Sequence, residues 1–114
     1  MTSRFDRAAS VTLDATGAGQ VQIPVTGGDW VIVASSVQVS SNVKEPTAKL
    51  YRNSVSDATF LEGSYTGSND SSDTRHVLTQ GEYLTVAWTG GDVGARATAR
   101  ITVVQYPAGM APAE

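Results

Sequence analysis

The only histidine of the chain lies in a polar stretch that also contains serine and aspartate. His76 follows Ser71, Ser72 and Asp73, which are the residue types of a Ser-His-Asp catalytic site. Such a site needs a base that is oriented in a cleft by residues from separate elements, whereas these four are close neighbours along the chain. We therefore expect His76 to be a solvated residue at the start of a strand, and we predict no catalytic residue and no enzyme activity.

The same polar stretch offers oxygen ligands of the kind that calcium prefers. Asn69, Asp70 and Asp73, together with Asp57, lack the regular spacing and the glycine of a calcium-binding loop. A zinc site needs three or four nitrogen, sulfur or oxygen ligands, and the chain has one histidine and no cysteine. The sequence therefore predicts neither a metal nor a cofactor, and loop carboxylates that are solvated.

Aromatic side chains raise the alternative of a carbohydrate-binding surface, on which exposed rings stack against sugars. Trp88 alternates in phase with apolar neighbours, and Trp30 opens an apolar run, so both are expected in the core. Tyr51 and Tyr83 fall on the opposite parity from the apolar positions of their strands. These two tyrosines are expected to be exposed, which keeps a glycan as an alternative ligand.

Charge and hydropathy exclude two classes of partner. The net charge is −3 and the eight cationic side chains are dispersed, whereas nucleic-acid binding needs a basic face. Arg96 and Arg100 are expected on one strand face, but two charges do not form such a face. The N-terminal residues carry acid and base where a signal peptide has an apolar run, and no segment approaches the ~20 apolar residues of a spanning helix. We expect a protein made in the cytoplasm, without nucleic acid or membrane as partner.

The elements that position these residues are strands, because apolar residues recur with a period of two. From Ala95 to Val103 small and apolar residues alternate with arginine and threonine, and Leu84, Val86 and Trp88 alternate in the same way. The glycine-rich segment 90–94 separates the two patterns. The spacing predicts an antiparallel hairpin of these two strands.

Shorter strands are predicted upstream at 10–14, 20–25, 30–34 with a continuation to 39, 47–52 and 59–66. Pro24 lacks a backbone donor, which predicts an edge position or a bulge. The segment 63–74 contains the longest predicted loop. Thr-Gly-Gly-Asp occurs at 26–29 and at 89–92, which we interpret as reuse of turn chemistry.

This pattern predicts an all-β fold, an antiparallel β-sandwich that is either jelly-roll-like or immunoglobulin-like. Residues 10–104 form the sandwich domain. Residues 1–9 are predicted as an N-terminal arm and residues 105–114 as a C-terminal tail.

Several motifs resemble small virion structural proteins of actinobacterial tailed phages. They are Leu50-Tyr51-Arg52, the segments 61–67 and 69–73, the run 81–91 (Gly-Glu-Tyr-Leu-Thr-Val-Ala-Trp-Thr-Gly-Gly), the segment 94–98 and Gly28-Asp29-Trp30-Val31-Ile32-Val33. The resemblance implies a non-enzymatic capsid decoration or minor tail protein that binds other virion subunits, such as major capsid or tail proteins, as a homo-oligomer. It also implies assembly into the virion in the host cytoplasm. The alternative is a carbohydrate-binding module for adsorption to the host cell surface.

Residues in the arm and on the outward faces are the candidates for partner binding. They are Arg4, Phe5, Arg7, Tyr51, Tyr83, Arg96 and Arg100. Because the N-terminal arm is expected to lie outside the fold, deleting residues 1–9 should leave thermal unfolding nearly unchanged and weaken assembly.

Overall fold

The computed structural model describes residues 3–41, 43–66, 69–73 and 75–111, and within them nine strands. The strands are β1 (Ser3–Thr12), β2 (Gly19–Pro24), β3 (Asp29–Val39), β4 (Thr47–Arg52), β5 (Phe60–Thr66), β6 (Asn69–Ser72), β7 (His76–Leu78), β8 (Tyr83–Thr89) and β9 (Arg96–Tyr106). A single 3₁₀ turn, Asp57–Thr59, is the only helical element among the described residues. No helix in that part of the chain has the length and apolar character needed to cross a membrane.

Two antiparallel sheets pack face to face, and neither closes on itself. Sheet A has the order β1-β9-β3, with β6 and β7 one after the other along the far side of β3. Sheet B has the order β2-β8-β4-β5. The predicted all-β antiparallel sandwich is confirmed.

The core between the sheets is built from the alternating apolar positions. Trp30 and Trp88 are both about 1% exposed, as predicted from the apolar run that Trp30 opens and from the period of two around Trp88. Leu50, Leu84 and Val103 are completely buried. The Trp30 indole N–H donates to the carbonyl of Thr26 and to Gln105 Oε1, 3.1 Å away in each case. Trp30 is therefore buried with its polar atom satisfied.

The hairpin predicted for the last two long strands is wrong. β8 lies in sheet B between β2 and β4, whereas β9 lies in sheet A between β1 and β3. The glycine-rich segment between them crosses from one sheet to the other. Both strands have one apolar face, and those faces meet across the core instead of lying side by side. Alternation along a strand does not distinguish the two arrangements.

The predicted N-terminal arm is also wrong, since residues 3–9 are the greater part of an edge strand. β1 pairs with β9 without interruption from Ser3 opposite Gln105 to Thr12 opposite Arg96. The Phe5 ring packs edge-to-face on Trp30, with centroids 5.6 Å apart. Because β1 contributes pairing and packing, deletion of residues 1–9 is now expected to destabilise the fold.

The C-terminal tail and the polar loop begin at different places from those predicted. Gln105 and Tyr106 are the last residues of β9, so the tail begins at Pro107. Asn69–Ser72, predicted within a loop, is strand β6 and pairs with Ser35–Gln38 of β3. A polar edge strand is held by backbone hydrogen bonds, which its side chains do not reveal. The prediction from Pro24 is confirmed, because β2 is the edge strand of sheet B.

Each Thr-Gly-Gly-Asp segment places its aspartate where it holds a distant part of the backbone. The Asp29 carboxylate accepts the N–H groups of Gln80 and Gly109, at 3.0 and 2.8 Å. Asp92 accepts the N–H groups of Val43 and Lys44, at 2.8 and 2.9 Å. The preceding glycine of the first copy, Gly28, has φ of 143° and a position where a Cβ would lie 2.2 Å from the Tyr106 carbonyl oxygen. That position excludes any side chain.

Candidate partner-binding surfaces

The only histidine is buried and hydrogen-bonded, so the prediction of a solvated His76 is wrong. His76 lies in β7 of sheet A, and its Nε2 meets Oε2 of Glu62 from β5 of sheet B. The two side chains are 7% and 13% exposed. A polar or charged side chain that is withdrawn from water needs a hydrogen-bonding partner of this kind. The pair joins the two sheets near one edge of the sandwich.

The serines near His76 take part in sheet pairing. Ser71 and Ser72 lie opposite Ser36 and Ser35 across β6 and β3. His76 lies in the next strand along the same edge, where it is opposite Ile32. The burial of His76 is therefore explained by its hydrogen bond to Glu62, a residue that no sequence motif indicated as its partner. No signal of local spacing connects these two residues, since they come from different sheets.

The oxygen ligands considered for calcium are only partly within the described residues. Among the described residues no group of three or more histidine, cysteine, aspartate or glutamate side chains is arranged to hold a metal ion. Asp73 is exposed. The side chains of Asp57, Asn69 and Asp70 lie outside the described part of the structure.

Tyr51 is buried, so its prediction as an exposed ring is wrong. Its parity on β4 points away from the core, yet it is only 9% exposed. Phe60 meets it edge-to-face, with centroids 5.7 Å apart. The neighbouring Thr85 is also buried and donates to the carbonyl oxygen of Asn53, 2.6 Å away. Phe60 and the backbone of Asn53 thus lie on the outer face of sheet B beside Tyr51 and Thr85.

Tyr83 remains partly exposed, as expected from its parity. It begins β8, opposite Pro24 of the edge strand β2, and its backbone N–H donates to Asn53 Oδ1, 3.0 Å away. Tyr51 and Tyr83 lie on the same outer side of sheet B, yet only Tyr83 presents its ring to solvent. They do not form a two-ring platform.

Three of the predicted arginines share the outer face of sheet A. Arg96 and Arg100 alternate with the buried residues of β9, and Arg4 follows the same parity on β1. All three are exposed. The acidic Asp6 lies on the same face and accepts a hydrogen bond from Thr102, at 2.9 Å. This face therefore carries mixed charge.

Phe5 and Arg7 point to the other side of β1, towards the core. The Arg7 guanidinium carbon lies 4.2 Å from the Phe5 ring centroid and 5.9 Å from that of Trp30. A guanidinium over aromatic faces gains cation–π attraction. Phe5 is half-buried while Arg7 stays exposed. These two residues are thus part of the packing of the sandwich edge, and only Arg7 is open to a partner.

The outer face of sheet A contains a shallow polar depression of about 390 Å³. Hydroxyl side chains of Ser36, Ser71 and Thr102 line it, and Arg100 and Asp73 are also part of its wall. Arg100, one of the predicted partner-binding residues, therefore borders this depression.

Asp92 fixes the loops at the end of the sandwich. A hydrogen bond from the Ser41 hydroxyl, at 2.7 Å, is the largest influence that lowers the pKa of Asp92. The backbone N–H groups of Lys44 and Val43 and the charge of Lys44 act in the same direction. The repeated Thr-Gly-Gly-Asp was the signal for this structural role, although it did not identify the bonded partners.

Comparisons of the chain with protein-family models, with curated proteins and with solved structures found no match.

Proposed function

We propose that this chain is a non-enzymatic structural protein of a phage virion, either a capsid decoration protein or a minor tail component. It binds other virion subunits and acts as a homo-oligomer that assembles in the host cytoplasm. The proposal starts from the motifs that resemble such proteins.

The structural observation that supports this role is that buried polar residues form hydrogen bonds that stabilise the fold. His76 is paired with Glu62, and Asp29 binds two backbone N–H groups. These groups hold sheets and segments together. The surface that remains for a partner is the mixed-charge outer face of sheet A, with Arg4, Arg96 and Arg100, and the exposed edge strand β1.

The burial of Tyr51 argues against a glycan-binding role, because one of the two rings on which that alternative depended is covered. Tyr83 alone leaves a single partly exposed ring. A glycan array tests this alternative directly, and binding that disappears in Tyr83→Ala would replace the structural role with an adsorption role.

The decisive experiment is quantitative mass spectrometry of purified virions. Copies on the order of hundreds per particle indicate the capsid lattice, and a handful indicates the tail. Purified protein should also bind isolated heads or tails. Arg100→Glu should weaken that binding at unchanged thermal stability, whereas Lys49→Glu on the outer face of sheet B should not. A chain absent from virions, without affinity for heads or tails, would overturn the proposal.

A further inference from the structure

Strand β1 forms an unpaired edge of sheet A. Its ten residues pair with β9 in an unbroken register, and in the described part of the chain no strand pairs with its other side. A strand edge of this kind presents a row of free backbone donors and acceptors. Its length and regularity make it a template for another strand.

The hydrogen bonds at the end of β1 show which residues face that edge. The Leu13 N–H donates to the Ala95 carbonyl oxygen at 2.8 Å, so the odd-numbered residues of β1 bond towards β9. On the other side of β9, the Ser40 N–H donates to the Arg96 carbonyl oxygen at 2.9 Å. The alternation of an antiparallel ladder then directs the even-numbered residues of β1 to the open side. These residues are Arg4, Asp6, Ala8, Ser10 and Thr12.

One of these groups already has a local partner. The Asp6 carbonyl oxygen accepts a hydrogen bond from the Arg7 guanidinium, at 3.2 Å. A carbonyl oxygen has two lone pairs, so this bond leaves an acceptor site for an incoming strand.

The other edges of the sandwich are protected against pairing. Directly after β2, the Val25 N–H donates to the backbone carbonyl oxygen of Glu82, so the odd-numbered residues of β2 bond towards β8. The backbone groups of the even-numbered residues therefore face the open side. Pro24 is one of these residues, and it has no N–H to offer. β6 and β7 are only four and three residues long. β5 pairs with β4 through two register shifts. Proline, short strands and bulges are the usual devices that prevent edge pairing, and β1 has none of them.

We propose that β1 pairs antiparallel with β1 of a second copy of this chain, across a two-fold axis at Ala8. The pairing joins the A sheets of the two copies into one continuous sheet. It places Ala8 opposite Ala8, Asp6 opposite Ser10 and Arg4 opposite Thr12 of the second copy. Five hydrogen-bonded pairs, with two bonds each, then use all the outward backbone groups, about ten bonds in total.

The register follows from self-complementarity. A two-fold axis perpendicular to the sheet requires residues of equal parity to lie opposite each other. An axis at Asp6 would oppose two carboxylates, and an axis at Arg7 would oppose two guanidinium groups, which is unfavourable for directly opposed residues. An axis at Phe5 would leave Ser10 and Thr12 without partners, and an axis at Ala9 or Ser10 would place Arg4 opposite a residue beyond the end of β1. The axis at Ala8 avoids both problems and puts the smallest side chains of the edge at the centre.

This inference rests on the proposed function, because it names the contact by which a repeated structural subunit self-associates. Light scattering of the purified protein should give twice the 11.9 kDa mass of the chain. Ala8→Pro removes an N–H that does not bond to β9, so it should halve the molar mass at nearly unchanged thermal stability. Gln22→Pro, at an outward position on the edge of sheet B, is the matched control and should remain dimeric. A monomeric wild-type protein, or an Ala8→Pro variant that remains dimeric, would overturn the pairing.

Single-cysteine variants test the register, since the chain has no cysteine. Ala8→Cys lies opposite itself at a Cα separation of about 5.5 Å, within the range of a disulfide, and should form a covalent dimer on oxidation. Asp6→Cys and Ser10→Cys place like positions about 13 Å apart along the strand and should stay uncrosslinked. Crosslinking at position 6 or 10 instead of 8 would overturn the proposed axis. These assays use the isolated protein, so a monomer that still associates with virions would refute the pairing and the self-association, and it would leave the proposed binding to other virion subunits standing.

Discussion

The buried pair of His76 and Glu62 should stabilise the sandwich, and its contribution can be isolated by a double-mutant cycle. The two side chains come from opposite sheets and are 7% and 13% exposed. Replacing His76 by Phe, or Glu62 by Leu, leaves the other polar group without its partner in a site that water reaches poorly. Replacing both removes the polar requirement altogether.

The expected magnitudes follow from that burial. An orphaned buried polar group costs about 1–3 kcal/mol, and a buried charge without its partner about 3–5 kcal/mol. Because Glu62 keeps some contact with solvent, we expect each single variant to lower the free energy of unfolding by about 2–3 kcal/mol. The double variant should cost less than the sum of the single ones, with a coupling energy of about 1–3 kcal/mol.

Urea unfolding followed by tryptophan fluorescence is the appropriate assay. Trp30 and Trp88 are both about 1% exposed and lie in the core, so their emission reports global unfolding. Asp73→Leu, at an exposed aspartate, is the matched control and should change stability by less than about 0.5 kcal/mol. If the effects of His76→Phe and Glu62→Leu add within about 0.5 kcal/mol, the two residues are not coupled and the argument from burial is refuted.

Three further predictions concern the core, the edge and the loops. Trp88→Ala should lower the free energy of unfolding by about 3–5 kcal/mol because the side chain is buried, and a near-zero change in urea unfolding would contradict its place in the core. Deletion of residues 1–9 should lower the melting temperature, since it removes most of an edge strand and a packed aromatic ring; an unchanged calorimetric transition would instead support an arm. Asp92→Asn should destabilise at neutral pH. The lowered pKa of Asp92, due first to the Ser41 hydroxyl, makes its contribution present above the unfolded value of 3.8 and lost as pH falls through the folded pKa. The stability difference between wild type and Asp92→Asn should therefore shrink below about pH 4, and a constant difference would contradict the assigned bonds.

The sequence predicted what alternation of side chains determines. The core positions of β8 and β9, including Trp88 and Ile101, follow from the period of two. Pro24 revealed an edge strand because a missing N–H is a backbone property that is visible in the sequence. The bounds of β4, Thr47–Arg52, were predicted correctly because polar and apolar residues alternate along it.

What the sequence did not predict depends on contacts between distant segments. The apolar side of β1 is interrupted by Arg7, whose guanidinium lies over Phe5, so the strand resembles a polar arm. Tyr51 has outward parity, and it is nevertheless buried, with the Phe60 ring packed against it. Glu62 and His76 meet across two sheets, and neither has a local pattern that points to the other.

The separation of core from edge has a consequence for how this protein can assemble. The residues that stabilise the sandwich, such as Trp88 and the His76–Glu62 pair, lie inside it or between its sheets. The outward backbone groups of β1 contribute nothing to pairing with β9, so a change such as Ala8→Pro can alter association without altering the fold. Within the part of the chain that the structure describes, three of the four sandwich edges carry proline, short strands or register shifts, which restrict edge-to-edge growth. A single open edge closes into a two-fold pair and cannot propagate into a fibre, so self-association through β1 yields a discrete dimer whose arginine-bearing outer faces lie on one continuous sheet.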